Sequence, residues 1–363
     1  MNSASVDLVC LDPPFNSRND YAAAAGSRAE GMGFQDTWSR EDVDPAWLDL
    51  IEAKHPSVWQ VLRAAALESD RAYLAYMAVR LLEVSRLLKR TGSLYLHCDP
   101  TMSHYLKLVL DAIFGRQRFL NEIVWSYGLG GSSKRAYSRK HDIILFYSVS
   151  KEYTFTKPQV SSSSARMKGA PKGMLDVWTD VPALNNMARE RTGYPKQKPL
   201  ALLRRIVAAS SREGDLVLDP FSGCATALVA AEELSRNWAG IDVDRRAHRL
   251  LLARMRELTE PVLTIEHRTD APRRTDLEGP VAKNTSRMVN CLLEEQRTRC
   301  FGCRRDGLQG ELEPVHIIDT EQGGSRQLDN LMLLCPICKR ARSARSKDYF
   351  LARLSDPDGT HFA

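Results

Sequence analysis

Two short polar motifs, each directly after an apolar strand-like run, constrain the fold of this chain most. Asp12-Pro13-Pro14-Phe15 follows Val6 to Leu11, and the second motif, residues 219–226, follows a second run, Asp215 to Leu218, much later in the chain. Parallel sheets place their ligand-binding loops at the carboxyl ends of strands. We therefore expect the two motifs to meet at one edge of a shared sheet.

Further strand-like and helix-like segments alternate along the first two thirds of the chain, which predicts an α/β fold with a doubly wound sheet. The expected strands are Ser93–His97, Asn121–Ser126, His141–Ser148 and Trp238–Asp242. The expected helices are Ser69–Leu88, ended by Gly92, then Met102–Phe114, Pro199–Ser210, Thr226–Leu234 and Arg245–Leu258. We expect the second and third of these strands to pair as an antiparallel edge. The stretch before Ser69 is predicted to be a long polar loop.

The first motif has the chemistry to hold an amine. Asp12 offers a side-chain oxygen and Pro13 a backbone oxygen, so the pair can accept both hydrogens of an amino group. Pro14 stiffens the loop, and Phe15 offers a flat ring for stacking. As a bare tetrapeptide the motif also fits a simple turn after a strand.

The second motif has the features of a nucleoside site. Gly223 allows the backbone to approach a ligand closely, and Phe221 can cover an apolar part of it. Asp242, at the end of the next predicted strand, can bind two ribose hydroxyls. The alternative reading is a buried turn and a helix cap.

Taken together, residues 5–255 resemble the permuted DNA amino-methyltransferases, which act on adenine N6 or cytosine N4 and carry the catalytic loop before the cofactor loop. The resemblance also extends to the segments Gly92–Asp99, Asn121–Trp125, His141–Tyr147 and Arg191–Pro199. It implies a Rossmann-like sheet that binds S-adenosylmethionine.

By this resemblance the catalytic residues are Asp12, Pro13, Pro14 and Phe15, and the target base is flipped out of double-stranded DNA. The implied cofactor-binding residues are Asp219, Pro220, Phe221, Ser222, Gly223, Ala225, Thr226, Asp242, Lys198 and Pro199. Asp12 at the first place of the loop is more typical of adenine enzymes, so we expect adenine-N6 methylation. Cytosine-N4 methylation is the alternative.

One departure from the family concerns the beginning of the chain. Relatives carry a further strand upstream of the catalytic strand, whereas Met1 lies eleven residues before Asp12 here. We therefore expect the sheet to lack one edge strand and the cofactor to lose a contact, as in a truncated reading frame. If this abolishes methylation, the chain is a non-catalytic DNA-binding protein. Ala225 stands where a glycine is usual.

A second, small α+β domain is indicated by two Cys-x-x-Cys pairs, Cys300 with Cys303 and Cys335 with Cys338. Four thiolates at this spacing predict a closed structural zinc site. The segment resembles the HNH nuclease module, and the nuclease-like residues implied by that resemblance are His316 and Asn330.

In that module the two places that hold a divalent ion fall on Val315 and Lys339, neither of which suits a cation. We therefore interpret the domain as a zinc-stabilised DNA-binding remnant. DNA cleavage is the alternative, in which Glu313, Asp319 or Asp329 would substitute as ligands.

The predicted organisation is a methyltransferase domain over residues 1–262, with target recognition at 149–192, a linker at 263–290, the HNH-like domain at 291–350 and a tail at 351–363. Fifty-one Lys and Arg against 45 Asp and Glu give a net charge of +6, which favours a polyanionic partner. One basic cluster is Lys134, Arg135, Arg139 and Lys140.

The sequence shows neither a membrane span nor a signal peptide, so we expect a cytoplasmic protein of prokaryotic or phage origin. The resemblance leaves open a homodimer and a cognate restriction enzyme as partners.

Overall fold

The computed structural model describes residues 1–128, 132–162, 165–257, 265–270, 272, 274–276, 292, 299–301, 312–316 and 330–339. The chain forms two compact units. The larger unit is Ser3–Thr269, and the smaller consists of Met1–Asn2 together with Asp270–Ala363. The division between them falls within the stretch predicted as a linker.

The secondary structure is as follows. The strands are β1 Val6–Leu11, β2 Tyr21–Ala22, β3 Gly33–Phe34, β4 Leu88–Cys98, β5 Phe119–Ser126, β6 His141–Ser148, β7 Gln159–Ser161, β8 Pro171–Gly173, β9 Val177–Trp178, β10 Leu216–Asp219, β11 Asn237–Gly240, β12 Glu313–His316 and β13 Leu331–Leu334. The α-helices are α1 Pro45–Lys54, α2 Pro56–Ala64, α3 Glu68–Leu87, α4 Ser103–Phe114, α5 Leu200–Ser210, α6 Thr226–Glu233 and α7 Arg246–Arg256. Short 3₁₀ turns lie at Arg40–Asp42, Arg116–Arg118 and Ala165–Met167.

A mixed seven-stranded sheet organises the described part of the larger unit, in the order β11-β10-β1-β4-β6-β5-β9. Strand β1 pairs in parallel with β10 on one side and with β4 on the other. Strand β6 runs antiparallel to both β4 and β5, so β5 points the same way as β1. The carboxyl ends of β1, β4, β5 and β10 therefore share one edge of the sheet.

The core covers both faces of this sheet, which is why the central strands are apolar over most of their length. Leu8 and Val9 of β1 point to opposite faces, and both are fully buried. Leu8 packs in a cluster with Ile206 of α5 and Leu228 of α6. The apolar runs therefore fix strands that are buried on both sides.

The α/β sheet expected from the sequence is confirmed, and β1 and β6 have the bounds that the apolar runs predict. Three details of the prediction are wrong. Helix α3 ends at Leu87 rather than at Gly92, and β4 continues directly from it. Helices α1 and α2 occupy part of the predicted loop. The short strand β9, and not the β5–β6 pair, forms one edge of the sheet.

At the opposite edge, β11 is the outermost strand among the residues that the structure describes. Within the same residues, none of the helices combines the length and the apolar character that crossing a membrane would demand.

In the smaller unit, β12 and β13 form an antiparallel hairpin in which His316 pairs with Leu331. Its core includes Leu312, Met332, Leu333 and Leu334 together with Cys300 and Cys338. Among the described residues of this unit the core is small, which is typical of domains that a metal ion stabilises.

Candidate active site

The two predicted loops meet at one cavity of about 330 Å³ at the carboxyl edge of the sheet. All four predicted catalytic residues, Asp12 to Phe15, line it. The predicted cofactor residues that line it are Asp219, Pro220, Phe221, Ser222, Gly223, Thr226, Asp242 and Lys198. Pro199 and Ala225 instead occupy the N-cap positions of α5 and α6.

Lys198 holds the carboxylate of Asp12. Its Nζ donates to both oxygens, at 2.7 and 2.9 Å, and lies 4.9 Å from the centre of the Phe15 ring. The Lys198 side chain is 8% exposed, whereas that of Asp12 is 34% exposed towards the cavity. The sequence assigned Lys198 to the cofactor; the structure pairs it with the catalytic loop.

Asp36 fixes the continuation of the catalytic loop. Its buried carboxylate accepts hydrogen bonds from the backbone N–H of Asn16 at 2.6 Å and of Ser17 at 3.1 Å. Asn16 has a φ of 61°, in the left-handed region that asparagine tolerates better than most residues. The sequence reasoning missed both Asn16 and Asp36, although an asparagine directly after Phe15 is a signal for such a turn.

Phe15 is buried against a histidine. Its ring stacks on His97 with a centroid distance of 5.6 Å and an interplanar angle of 17°. The Nε2 atom of His97 lies 2.9 Å from Oδ2 of Asp142. The His97 and Trp125 rings also form a T-shaped contact, with their centroids 5.6 Å apart. Burial alone would raise the pKa of Asp142, but the hydrogen bond and charge of His97 lower it. Phe15 thus has one face already covered.

The cofactor loop is closed by Asp242. Its Oδ2 accepts the N–H of Gly223 at 2.7 Å, and its Oδ1 accepts the N–H of Asp244 at 2.8 Å. Burial raises the pKa of Asp242, although these two N–H groups oppose the rise. Gly223 has a φ of +46°, and a Cβ there would lie 2.9 Å from the Tyr194 ring. The sequence reasoning missed Tyr194, which contacts this loop although it precedes Gly223 by 29 positions in the chain.

Asp219 adds a third carboxylate to the cavity. It is buried, and burial raises its pKa to about 8, with further contributions from the negative charges of Asp12 and Asp242. The N–H of Phe221 donates to it at 3.0 Å, which opposes that rise. Repulsion from Asp12 and Asp242 thus helps to keep a proton on Asp219, and a cationic ligand in the cavity would relieve that repulsion.

An aromatic wall closes the cavity on the side of α3. The guanidinium carbon of Arg80 lies 3.4 Å from the centre of the Tyr76 ring, and Trp38 packs against Tyr76 at 4.3 Å. Burial raises the pKa of Tyr76 and lowers that of Arg80. Ile241 and Val243 also line the cavity, with exposed apolar side chains. The cavity can therefore hold a flat ring system as well as a charged group.

The smaller unit brings three of the four predicted zinc ligands together. The sulfur atoms of Cys300, Cys335 and Cys338 all lie within 4.8 Å of one another. Tetrahedral zinc binds sulfur at about 2.3 Å and so holds its sulfurs about 3.8 Å apart. This cluster fits zinc with little movement, while Cys303 lies outside the described residues.

The nuclease-like residues lie side by side in the same unit. His316 ends β12 and faces Leu331, the residue that follows the buried Asn330. Lys339 and Glu313 form an ion pair. Glu313 is therefore already paired with an ammonium group, which would compete with the divalent ion of a nuclease site. Asp319 and Asp329 lie outside the described residues.

Two known protein families match the chain, one in each of its two parts. The DNA methylase family model matches residues 6–253, and the HNH endonuclease family model matches residues 300–345. The first match covers more than half of the chain. The chain therefore belongs to the DNA methylase family.

Individual relatives are moderately similar. The Type II methyltransferase M.HpaI of Haemophilus parainfluenzae is 28% identical over 248 residues, which cover 66% of this chain and 65% of that protein. The chain thus spans just under two thirds of this relative's length. The DNA adenine methyltransferase YhdJ of Escherichia coli is 26% identical over 270 residues, covering 69% and 76%. A solved structure of the M1.HpyAVI-SAM complex is 19% identical, with a TM-score of 0.41 and coverage of 69% and 89%.

Proposed function

We propose that this chain is a DNA methyltransferase that moves a methyl group from S-adenosylmethionine to adenine N6 of a base flipped out of double-stranded DNA. One observation carries the proposal. The Asp12 loop, held by Lys198, and the glycine loop, closed by Asp242, line the same cavity. Membership of the DNA methylase family supports the same reaction class.

The catalytic loop addresses the main difficulty of this reaction. The lone pair of an exocyclic amine is delocalised into the base, so the nitrogen is a poor nucleophile. The side-chain oxygen of Asp12 and the backbone oxygen of Pro13 accept the two amino hydrogens and aim the lone pair at the methyl carbon. Asp12 then lies beside the positive charge that develops on the nitrogen, and that charge is lost when one of the amino protons is released to solvent water.

The opposite side of the cavity suits the proposed cofactor. Asp242 can accept hydrogen bonds from ribose hydroxyls, and Phe221 and Tyr194 offer apolar surface. A positive ligand would relieve the repulsion that Asp12 and Asp242 exert on Asp219. When bound there, S-adenosylmethionine supplies an electrophilic methyl carbon whose bond to sulfur breaks as the new bond to nitrogen forms. The residues present therefore fit this group.

Adenine is the proposed target because Asp12 occupies the first place of the loop, as is more typical of adenine enzymes. The relative YhdJ is named as a DNA adenine methyltransferase. Cytosine N4 is the rival target, since its amine presents the same two hydrogens to the loop.

The test is to incubate the purified chain with methyl-labelled cofactor and mixed-sequence double-stranded DNA, then to digest the DNA and identify the labelled nucleoside. We expect N6-methyladenine, and no label with Asp12→Ala. Labelled N4-methylcytosine would instead establish the rival reaction. Salt-sensitive DNA binding without any label would identify a non-catalytic DNA-binding protein.

For the smaller unit we propose DNA binding without cleavage, stabilised by zinc. The ion pair between Lys339 and Glu313 supports this, because an ammonium group already satisfies the carboxylate. Supplying magnesium with supercoiled plasmid tests it. Strand breaks that disappear in His316→Ala would show an active nuclease and reject the proposal.

A homodimer and a cognate restriction enzyme remain predictions from the family resemblance.

A further inference from the structure

A basic loop leaves the sheet at the same edge as the candidate active site. The basic loop is defined here as residues 132–140, which connect β5 to β6. Strand β5 runs parallel to β1 and β4, so its carboxyl end at Ser126 shares their edge. The loop therefore begins and returns at the same edge of the sheet as the Asp12 motif, on strands two and three places from β1.

Hydrogen bonds tie both ends of this connection to the rim of the cavity. The hydroxyl of Tyr127 donates to Asp142 at 3.3 Å, and Asp142 in turn contacts His97, on which Phe15 stacks. Arg139 donates to the hydroxyl of Thr101, just beyond the end of β4, at 3.1 Å. The position of the loop is thus coupled to the residues around the catalytic motif.

The tip of the loop is held in a turn that presents an aromatic ring to solvent. The hydroxyl of Ser133 accepts the N–H groups of Arg135 at 3.3 Å and Ala136 at 3.1 Å. Tyr137, the next residue, is 100% exposed. Both faces of its ring are therefore accessible to an external partner that can stack on it.

The charge of the loop identifies the chemistry of that partner. Lys134, Arg135 and Arg139 are exposed, and the sequence from 127 to 141 contains no acidic residue. Cations that surround an exposed aromatic ring suit a polyanion that also carries flat, stackable groups, which describes nucleic acid. The loop combines these features on the edge of the sheet that carries the cavity.

We propose that the basic loop engages duplex DNA beside the extruded base, with Lys134 and Arg135 on phosphates and Tyr137 stacking in the gap that the base leaves. The proposal rests on the proposed function, because only base extrusion creates such a gap. It assigns a role to Tyr137 that the transfer chemistry itself does not require.

The phosphate contacts are tested by the salt dependence of binding to a random-sequence duplex. We expect Lys134→Ala/Arg135→Ala to reduce the slope of log affinity against log salt by about 2, near one unit for each lost contact. Arg116→Ala/Arg118→Ala is the matched control, because these two cations lie at the amino end of β5, away from the cavity. Equal effects of the two double variants would overturn the assignment.

The stacking contact is tested with a duplex that contains one abasic site, a stable substitute for a duplex with a vacated position. We expect the unmodified protein to bind it roughly tenfold more tightly than the intact duplex. Tyr137→Ala should abolish this preference with an unchanged salt slope, and Tyr137→Phe should keep it. The same preference in Tyr137→Ala would show that the ring is merely solvated.

These measurements separate the two proposals, since neither depends on methyl transfer. Normal methylation with unaltered binding by the loop variants would reject only the role of the loop. Altered binding without any methylation would reject the proposed reaction and leave the loop as a DNA contact.

Discussion

The carboxylate of Asp12 accepts hydrogen bonds on both oxygens from the ammonium group of Lys198. Each carboxylate oxygen has two lone pairs, so one donor on each still leaves room for an amino hydrogen. The lysine can therefore fix the orientation of the carboxylate without blocking its proposed partner. We therefore propose that Lys198 positions Asp12, whereas the family resemblance assigns it to the cofactor site.

Replacing Lys198 by methionine should release the Asp12 carboxylate from its fixed orientation. We expect Lys198→Met to lower kcat by roughly tenfold to a hundredfold, because small misplacements of a positioning group have effects of this size. The KM for the cofactor should change little. Steady-state kinetics with both substrates provide the measurement.

Two further variants make that experiment decisive. Lys198→Arg should recover part of the rate, since a guanidinium can also bind both oxygens. Lys196→Met should have a smaller effect than Lys198→Met, because Lys196 lies 5.9 Å from the Phe15 ring centre and 4.6 Å from that of Tyr21. A raised cofactor KM with an unchanged kcat would instead return Lys198 to the cofactor site.

Asp219 should make the unliganded protein less stable as the pH rises. Burial raises its pKa from 3.8 to about 8. Between these values the folded protein keeps a proton that the unfolded chain has released, so the free energy of unfolding falls with increasing pH. Asp219→Asn removes this contribution.

Urea unfolding of the unmodified protein and of Asp219→Asn, between about pH 5 and pH 8, measures how the free energy of unfolding of each depends on pH. We expect the stability of Asp219→Asn relative to the unmodified protein to increase across this range. Parallel pH profiles would show that Asp219 is charged in the folded protein.

At the scale of elements, the glycine loop depends on a close approach between β10 and the Tyr194 segment. Gly223→Ala should weaken cofactor binding, because the new Cβ would lie 2.9 Å from the Tyr194 ring. Gly214→Ala is the matched control, since Gly214 has a φ of +80° and open space around it. Isothermal titration with the cofactor, alongside thermal unfolding, separates the two effects.

Both glycine variants should lose about 1 kcal/mol or slightly more of stability through backbone strain. In addition to this loss of stability, Gly223→Ala should bind the cofactor more weakly, whereas Gly214→Ala should bind it normally. Similar affinities for the two variants would mean that the Tyr194 contact does not shape the pocket.

The sequence predicts a strand or helix correctly where most of its residues are apolar. Strands β1 and β6 are apolar over most of their length, and the sequence predicts their bounds correctly. Helices α1 and α2 were missed because they bury very little, with Ile51 in α1 and Val58 and Leu62 in α2. Strand β9 consists of Val177 and Trp178, which is too short for any period to be recognised.

The candidate site was predictable as two loops but not as a set of contacts. Strand ends locate Asp12 and Gly223 at one edge from the pattern alone. The ion pair between Lys198 and Asp12 joins residues 186 positions apart, and sequence spacing does not reveal such pairings. The contact of His97 with Asp142 escaped prediction for the same reason.

At the scale of the whole molecule, zinc should stabilise one unit and leave the other unaffected. Small domains of this kind depend on metal for their folding energy. We expect a strong chelator to abolish the thermal transition of the unit that contains Cys300, Cys335 and Cys338, and zinc to restore it. The transition of the Ser3–Thr269 unit should remain.

Metal analysis of the purified protein, with Cys335→Ser for comparison, completes that experiment. We expect bound zinc in the unmodified protein and a reduced content in the variant. Chelation that melts both units together would contradict independent folding.

The lateral pairing of β1 with β10 aligns Leu8 with Val217 and Val9 with Leu218. Backbone hydrogen bonds between β1 and β10 determine how the Asp12 loop and the glycine loop face each other across the cavity. The order of these segments along the polypeptide does not determine it. A gene rearrangement that moved the ends of the chain to another surface connection would preserve this alignment. Either half synthesised by itself would expose an unpaired apolar strand edge and would tend to aggregate until its complement arrived.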